Sequence, residues 1–345
     1  MTTLDARRSH RRFRVLVQAV LLVSPIALGA ATVRIIQTNS AGDNIHLIDP
    51  ATNKVVAVID GIEVNHGAAG APDGSLFYFS NEADHTLDFV DVKTLKVTKK
   101  VKLSGRPNNV AISRDGSHVY VAIRQEPGAV DVVDARSGRL IKSVATGGSV
   151  HNPFVTPDGK YVIAGLIEAR KLVVIDGKTE ESAWTMSFDR GVRPIAFEQN
   201  ADGSTRRMFV QLSDFHGFAV VDFAERKELT RIALPDVPLA ERHLQGLQGS
   251  PSHGLGIAPG GKTLWVNSKM NSYVYVYSLP DLTLLGGVRV GDHPDWLTFS
   301  PDGKSLYVAN AGSNSVSVVD VAARREVTRI PVGQVPKRNV TVVLP

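Results

Sequence analysis

The stretch Gly291–Val308, GDHPDWLTFSPDGKSLYV, decides the fold. An apolar run, WLTF, leads into the turn PDGK and a second apolar run, SLYV, which is the sequence form of an antiparallel hairpin. The same Asp-Gly turn recurs at Asp73, Asp115, Asp158, Asp202, Gly260 (where PGG stands for PDG) and Asp302, at spacings of 42, 43, 44, 58 and 42 residues. Similarity at a fixed period of this length marks a repeat architecture.

Each turn is followed by an apolar strand: Leu76–Phe79, Val119–Ile123, Tyr161–Ala164, Met208–Leu212, Leu264–Val266 and Leu306–Ala309. A further strand follows and closes on Asp91, Asp134, Asp176, Asp222 or Asp320, with Ser278 in that place once. An Asp there accepts backbone N–H bonds in the turn to a fourth strand. Four short strands per repeat make a propeller blade. Val33–Thr38, Ile45–Asp49 and Lys54–Ile59 are three strands without an inner one, and Asn339–Leu344 is one strand without outer ones. Joined, they form a blade from both termini, and no sheet edge is left open at the seam. The expected fold is all-β: a seven-bladed β-propeller of four-stranded antiparallel blades over 32–345, closed by that composite blade.

The segments Leu306–Asn310 (LYVAN) and Ser313–Asp320 (SNSVSVVD) resemble the YVTN-type repeat, and DHPDWLTFSPDGKSLYVAN is close to its consensus. In this the chain is similar to the YncE-like seven-bladed bacterial propellers. The resemblance implies the fold over nearly all of the mature chain. It leaves function open, because such propellers serve as enzymes, cofactor-handling proteins and binding modules, and it brings no catalytic motif onto numbered positions.

The absence of Cys excludes disulfides, thiolate ligands and thiol nucleophiles. Arg7, Arg8, Arg11, Arg12 and Arg14 precede the apolar stretch Val15–Leu28 and the small residues Gly29, Ala30 and Ala31, the order of an export signal (1–29) cleaved after residue 29 or 31. The expectation is a periplasmic or secreted protein, monomeric and without stable membrane insertion after cleavage. Those first 29 residues carry a net +4 of the chain's +5, so the domain itself is nearly neutral and nucleic-acid binding is not expected.

Residues seven places before each turn fall at equivalent places on the inner strands: His66, Asn108, His151, Ile195, His253 and Asp295. Three imidazoles on the first, third and fifth inner strands point to a metal site with an open position, each nitrogen about 2.0–2.1 Å from the ion. Two places earlier stand Arg106, Arg193 and His293, the arginines suited to a carboxylate or phenolate. His293 is a further ligand candidate, and Asp295 a ligand or an orienting partner. His85 and His216 share a place in the outer loops of the same face. An insertion, Pro235–Pro251, carries Glu241, Arg242 and His243 and joins the strands so as to emerge there too. His46 and His118 fall away from this cluster, and neither an HExxH motif nor a phosphate-binding glycine loop occurs.

With no thiolate, an imidazole-rich exported site favours copper, with iron or zinc also compatible. The expected function is a metal-dependent enzyme acting on a small molecule, an oxidoreductase first and a zinc-type hydrolase or lyase second. The alternative is a non-catalytic cofactor- or ligand-binding propeller.

Overall fold

The computed structural model describes residues 31–344 and Thr2, so the export segment and His10 lie, Thr2 aside, outside the described residues. Among the described residues, 28 strands form seven four-stranded antiparallel sheets, with one short 3-10 turn at Leu239–Glu241 and no α-helix. None has a helix long and apolar enough to cross a membrane. Blades 1 to 6 each run outward in chain order from an inner strand: Asn65–Gly70, Pro107–Ile112, Val150–Val155, Val192–Gln199, Ser252–Ile257 and Pro294–Phe299. Blade 7 takes its inner strand, Pro336–Leu344, from the end of the chain and pairs it with Thr32–Asn39, followed by Asn44–Asp49 and Lys54–Asp60. That inner strand begins three residues earlier than the sequence suggested.

Side chains alternate along each strand, so every blade presents apolar faces to both neighbours. In blade 1, Tyr78 packs with Val110, Val119 and Val121 of blade 2, while Phe77 and Phe79 pack with Ile36 and Ile45 of blade 7. Seven such interfaces close the ring, and Trp265 and Tyr307 fill two of the others. The turns behave as their residues dictate. Asp91, Asp134, Asp176, Asp222 and Asp320 each accept a backbone N–H within the next three residues. Asp73, Asp115, Asp158, Asp202 and Asp302 each accept one from two residues on.

Candidate functional site at the channel mouth

Every inner strand slips register near its start, between Asn65 and Ala68, Pro107 and Val110, Val150 and Asn152, Val192 and Ile195, Ser252 and Leu255, Pro294 and Leu297. The composite blade does so opposite Pro336–Asn339. A bulge breaks the pairing and re-aims side chains. The second residues of the seven strands make one ring at this end of the channel: His66, Asn108, His151, Arg193, His253, Asp295 and Lys337. Blade 4 contributes Arg193 where the spacing had suggested Ile195. Its first two strands are eight residues long where those of blades 1, 2, 3, 5 and 6 have six, so counting back seven from Asp202 stops two residues short. Ile195 instead is buried between blades 3 and 4.

The three imidazoles are each held through Nδ1, by different partners. His66 Nδ1 lies 3.0 Å from Glu82 Oε1. His253 Nδ1 is 3.2 Å from the backbone oxygen of Asp295, to which it donates, and equally close to Asp295 Oδ1, which is buried without a hydrogen bond. A proton on Nδ1 leaves the Nε2 lone pair of both rings available as a ligand. His151 is the opposite case. Asn109 Nδ2 donates to Asn152 Oδ1 over 2.5 Å, which turns the Asn152 amide so that its NH2 donates to His151 Nδ1. The proton of His151 is therefore on Nε2, and that ring is a donor. His151 and His253 meet edge to face, ring centres 5.7 Å apart. Glycine follows His66 and His253 because a Cβ on Gly67 would meet Val110 N at 2.6 Å, and one on Gly254 would meet Asp295 O at 2.6 Å.

Burial keeps both central rings neutral. It pushes His253 down to about 3, against the pull of Asp295, and takes His151 well below the ordinary imidazole value, helped by His253 and Arg193. Burial alone would raise Asp295, but Lys269, Lys337 and His253 outweigh it and hold the carboxyl well below its usual range. Lys269 Nζ is 3.5 Å and Lys337 Nζ 3.1 Å from that carboxylate. Arg193 donates to Ser213 Oγ at 2.8 Å and to the Gln248 carbonyl at 3.0 Å. The mouth thus pairs some charges internally and keeps a cationic surplus. Its floor is Trp296, whose ring centre is 5.4 Å from His253 and 6.4 Å from Phe154 across the channel.

The other expected residues sit farther out. Arg106 is exposed on the rim, unlike Arg193. His293 Nε2 lies 3.2 Å from the His243 carbonyl, and the two rings are 6.0 Å apart, so His293 belongs with the inserted segment and not with the triad. His216 Nε2 bonds Ser268 Oγ at 2.7 Å, and its Nδ1 is 3.6 Å from Asp236. His85 is half-buried at a hairpin tip, and Glu241 is exposed at the end of the 3-10 turn. His118 pairs with Glu180 at 3.8 Å and His46 lies in the composite blade, both away from the ring as anticipated. The inserted segment lies on the histidine face: His243 N donates to the Met270 carbonyl, and Gly249 O accepts from Asp214 N. Beside it a 660 Å³ cavity opens between blades 3 and 4, lined by Arg190, Arg193, Glu168 and Asp214.

Among the described residues no three His, Asp or Glu side chains converge so as to hold a metal ion. His66, His151 and His253 are not grouped as such a set among the described residues. Glu82 and Asp295 tie two of the rings to separate blades, and Asn152 turns the third into a donor. Glu82, Lys269 and Lys337 complete the mouth, and sequence reading missed them. The signal for Lys337 was there: Pro336-Lys337-Arg338 repeats the Pro-opened inner strands at Pro107 and Pro294. Glu82 and Lys269 share the first place after the second strand of their blades.

A family model for the cytochrome D1 heme domain matches residues 34–155. Among solved structures, Kuenenia stuttgartiensis hydrazine synthase aligns with a TM-score of 0.72 and 21% identity over 83% of this chain and 92% of that one. The dihydro-heme d1 dehydrogenase NirN in complex with DHE aligns with a TM-score of 0.66 and 16% identity over 89% of this chain and 74% of that one. At these identities the likeness is one of fold. No curated protein matches the chain. A second family model, for the seven-bladed β-propeller lactonases, matches residues 145–343, more than half of the sequence, and neither family description names the YVTN-type group. The chain belongs to the lactonase, 7-bladed beta-propeller family.

Proposed function

We propose that the protein binds an iron tetrapyrrole at the mouth ringed by His66, His151 and His253, and serves there as an exported oxidoreductase for a small molecule. The observation that carries this is the asymmetry of the imidazoles: Nε2 is a free lone pair on His66 and His253 and an N–H on His151. A macrocycle that fills its own equatorial positions asks for one axial imidazole, so it suits a mouth in which three ligands do not converge. The cytochrome D1 match over 34–155 and the fold shared with NirN in complex with DHE favour heme over copper. The residues that would hold the group are His253 as a neutral imidazole, Trp296 as an aromatic face, and Arg193 with Lys337 as cations for its carboxylates. When bound, the group would supply one-electron chemistry. His151 would offer its Nε2–H to a small molecule at the mouth, beside the inserted segment. The basic-then-apolar start of the chain supports export.

Hemin titrated into the purified protein tests this. The account expects a Soret shift saturating at one equivalent, with affinity reduced about tenfold or more in His253→Ala. Binding that does not saturate, or is unchanged in both His253→Ala and His66→Ala, overturns it. Membership of the lactonase family favours a second reading, lactone ring opening with the Glu82-held His66 as base. Turnover of a lactone panel, lost in His66→Gln, would support that reading, and no turnover would remove it.

A further inference from the structure

Below Trp296 the channel opens to the face that carries the Asp-Gly turns, as a cavity of 410 Å³. Its walls are the inner strands of blades 1, 2, 3 and 7, with Ala68, Ala69, Val110, Ala111, Val155 and Val340 facing the space. Two charged groups line it, Arg338 at its upper end and the exposed Arg114 at the rim. The guanidinium stacks on Trp296, 4.1 Å from the ring centre. Its backbone is fixed: Arg338 N donates to Thr38 Oγ1 at 3.1 Å, and its carbonyl accepts from Gln37 Nε2 at 3.2 Å. The side chain is not satisfied. Nε and Nη1 are shielded from solvent and have no hydrogen-bond partner, and no carboxylate among the described residues lies within ion-pair reach. The guanidinium is pushed down to about 10 by burial, with no anion to offset it.

A guanidinium without an anion in a low-dielectric wall is costly, and natural folds rarely keep one without a use. Its planar fork matches a carboxylate, and the lining below it matches an apolar body. The volume lies in the range of small-molecule sites. We infer that this lower cavity is a second binding site, distinct from the histidine mouth, for a monocarboxylate with a short apolar chain, its carboxylate on Arg338 and its chain between Ala69, Ala111 and Val155.

The test uses the full chain and sodium octanoate as probe, followed by titration calorimetry, with 1-octanol and inorganic phosphate as controls. Octanoate is expected to bind one-to-one with sub-millimolar affinity, and octanol and phosphate each about tenfold more weakly or not at all. Arg338→Gln should weaken octanoate by about tenfold or more. Ala111→Leu leaves the guanidinium in place and fills the apolar part, so it should abolish binding and carries the test if Arg338→Gln does not fold. Absence of saturable octanoate binding, equal binding by octanol or phosphate, or unchanged binding in Ala111→Leu overturns the inference. Because His66, His151 and His253 are untouched, hemin binding in Ala111→Leu should match the unsubstituted protein, which separates this site from the reading of the mouth.

Discussion

The two ends of the channel are built from the same seven strands and hold charge in opposite ways. At the upper mouth, charged groups are grouped: Asp295 sits among His253, Lys269 and Lys337, and Glu82 holds His66. At the lower end Arg338, with no anionic partner, stands above small apolar side chains, with Arg114 at the rim. Trp296 divides them, edge to face with His253 above and stacked with the guanidinium of Arg338 below. The difference teaches that the propeller fixes places and not chemistry. At the upper end Asp295 and Glu82 already have partners before any ligand arrives, whereas Arg338 gains an anionic partner only when a ligand brings one.

Three changes break or sharpen that contrast. The largest effect belongs to Asp295→Ala, which leaves the buried Lys269 and the half-buried Lys337 without their shared anion. It should cost about 3–5 kcal/mol of stability in denaturant unfolding. A loss near zero would mean that the upper charges are solvated and not balanced.

Acid comes next. His253 is at about 3 in the folded chain, below the ordinary 6.5. His151 moves in the same direction. Around them stand His66, Arg193, Arg124, Asp295, Lys269 and Lys337. Below 6.5 the unfolded chain takes up these protons and the folded chain does not. Stability is therefore present above that value and lost as pH falls toward 3. Each ring contributes a slope of up to about 1.4 kcal/mol per pH unit between 6.5 and 4, and His253→Gln should remove about one such increment. Asp295 adds a loss of the same sign below the ordinary carboxylate value.

The smallest effect is of opposite sign. Arg338→Met removes an unpaired buried cation and should raise stability by about 1 kcal/mol in ligand-free protein. A loss of stability instead would show that Arg338 is a structural support of Trp296.

The blade count, the composite closure and the face bearing the site were legible because turn chemistry and alternation are local properties of Asp-Gly and of residues such as Leu306–Asn310. The ring was legible only where blades are regular. His66, His151, His253 and Asp295 came out in register, and Arg193 did not, because the lengthened hairpin around Asp202 broke the count. The ligand set was not legible at all. Whether an imidazole is a ligand or a donor depends on what holds its other nitrogen, and Glu82, Asn152 and the Asp295 carbonyl are set by neighbouring strands and hairpins that spacing alone does not reveal. Copper was favoured for an imidazole-rich exported site without thiolates, and the heme-domain match does not support that choice.

The most direct test of the account is the tautomer of each histidine, read by 15N NMR on histidine-labelled protein near pH 6.5 and assigned with single His→Gln variants. The account predicts neutral rings at His151 and His253, with the proton on Nδ1 in His253 and on Nε2 in His151. A proton on Nε2 in His253, or protonated rings at His151 and His253, would contradict it.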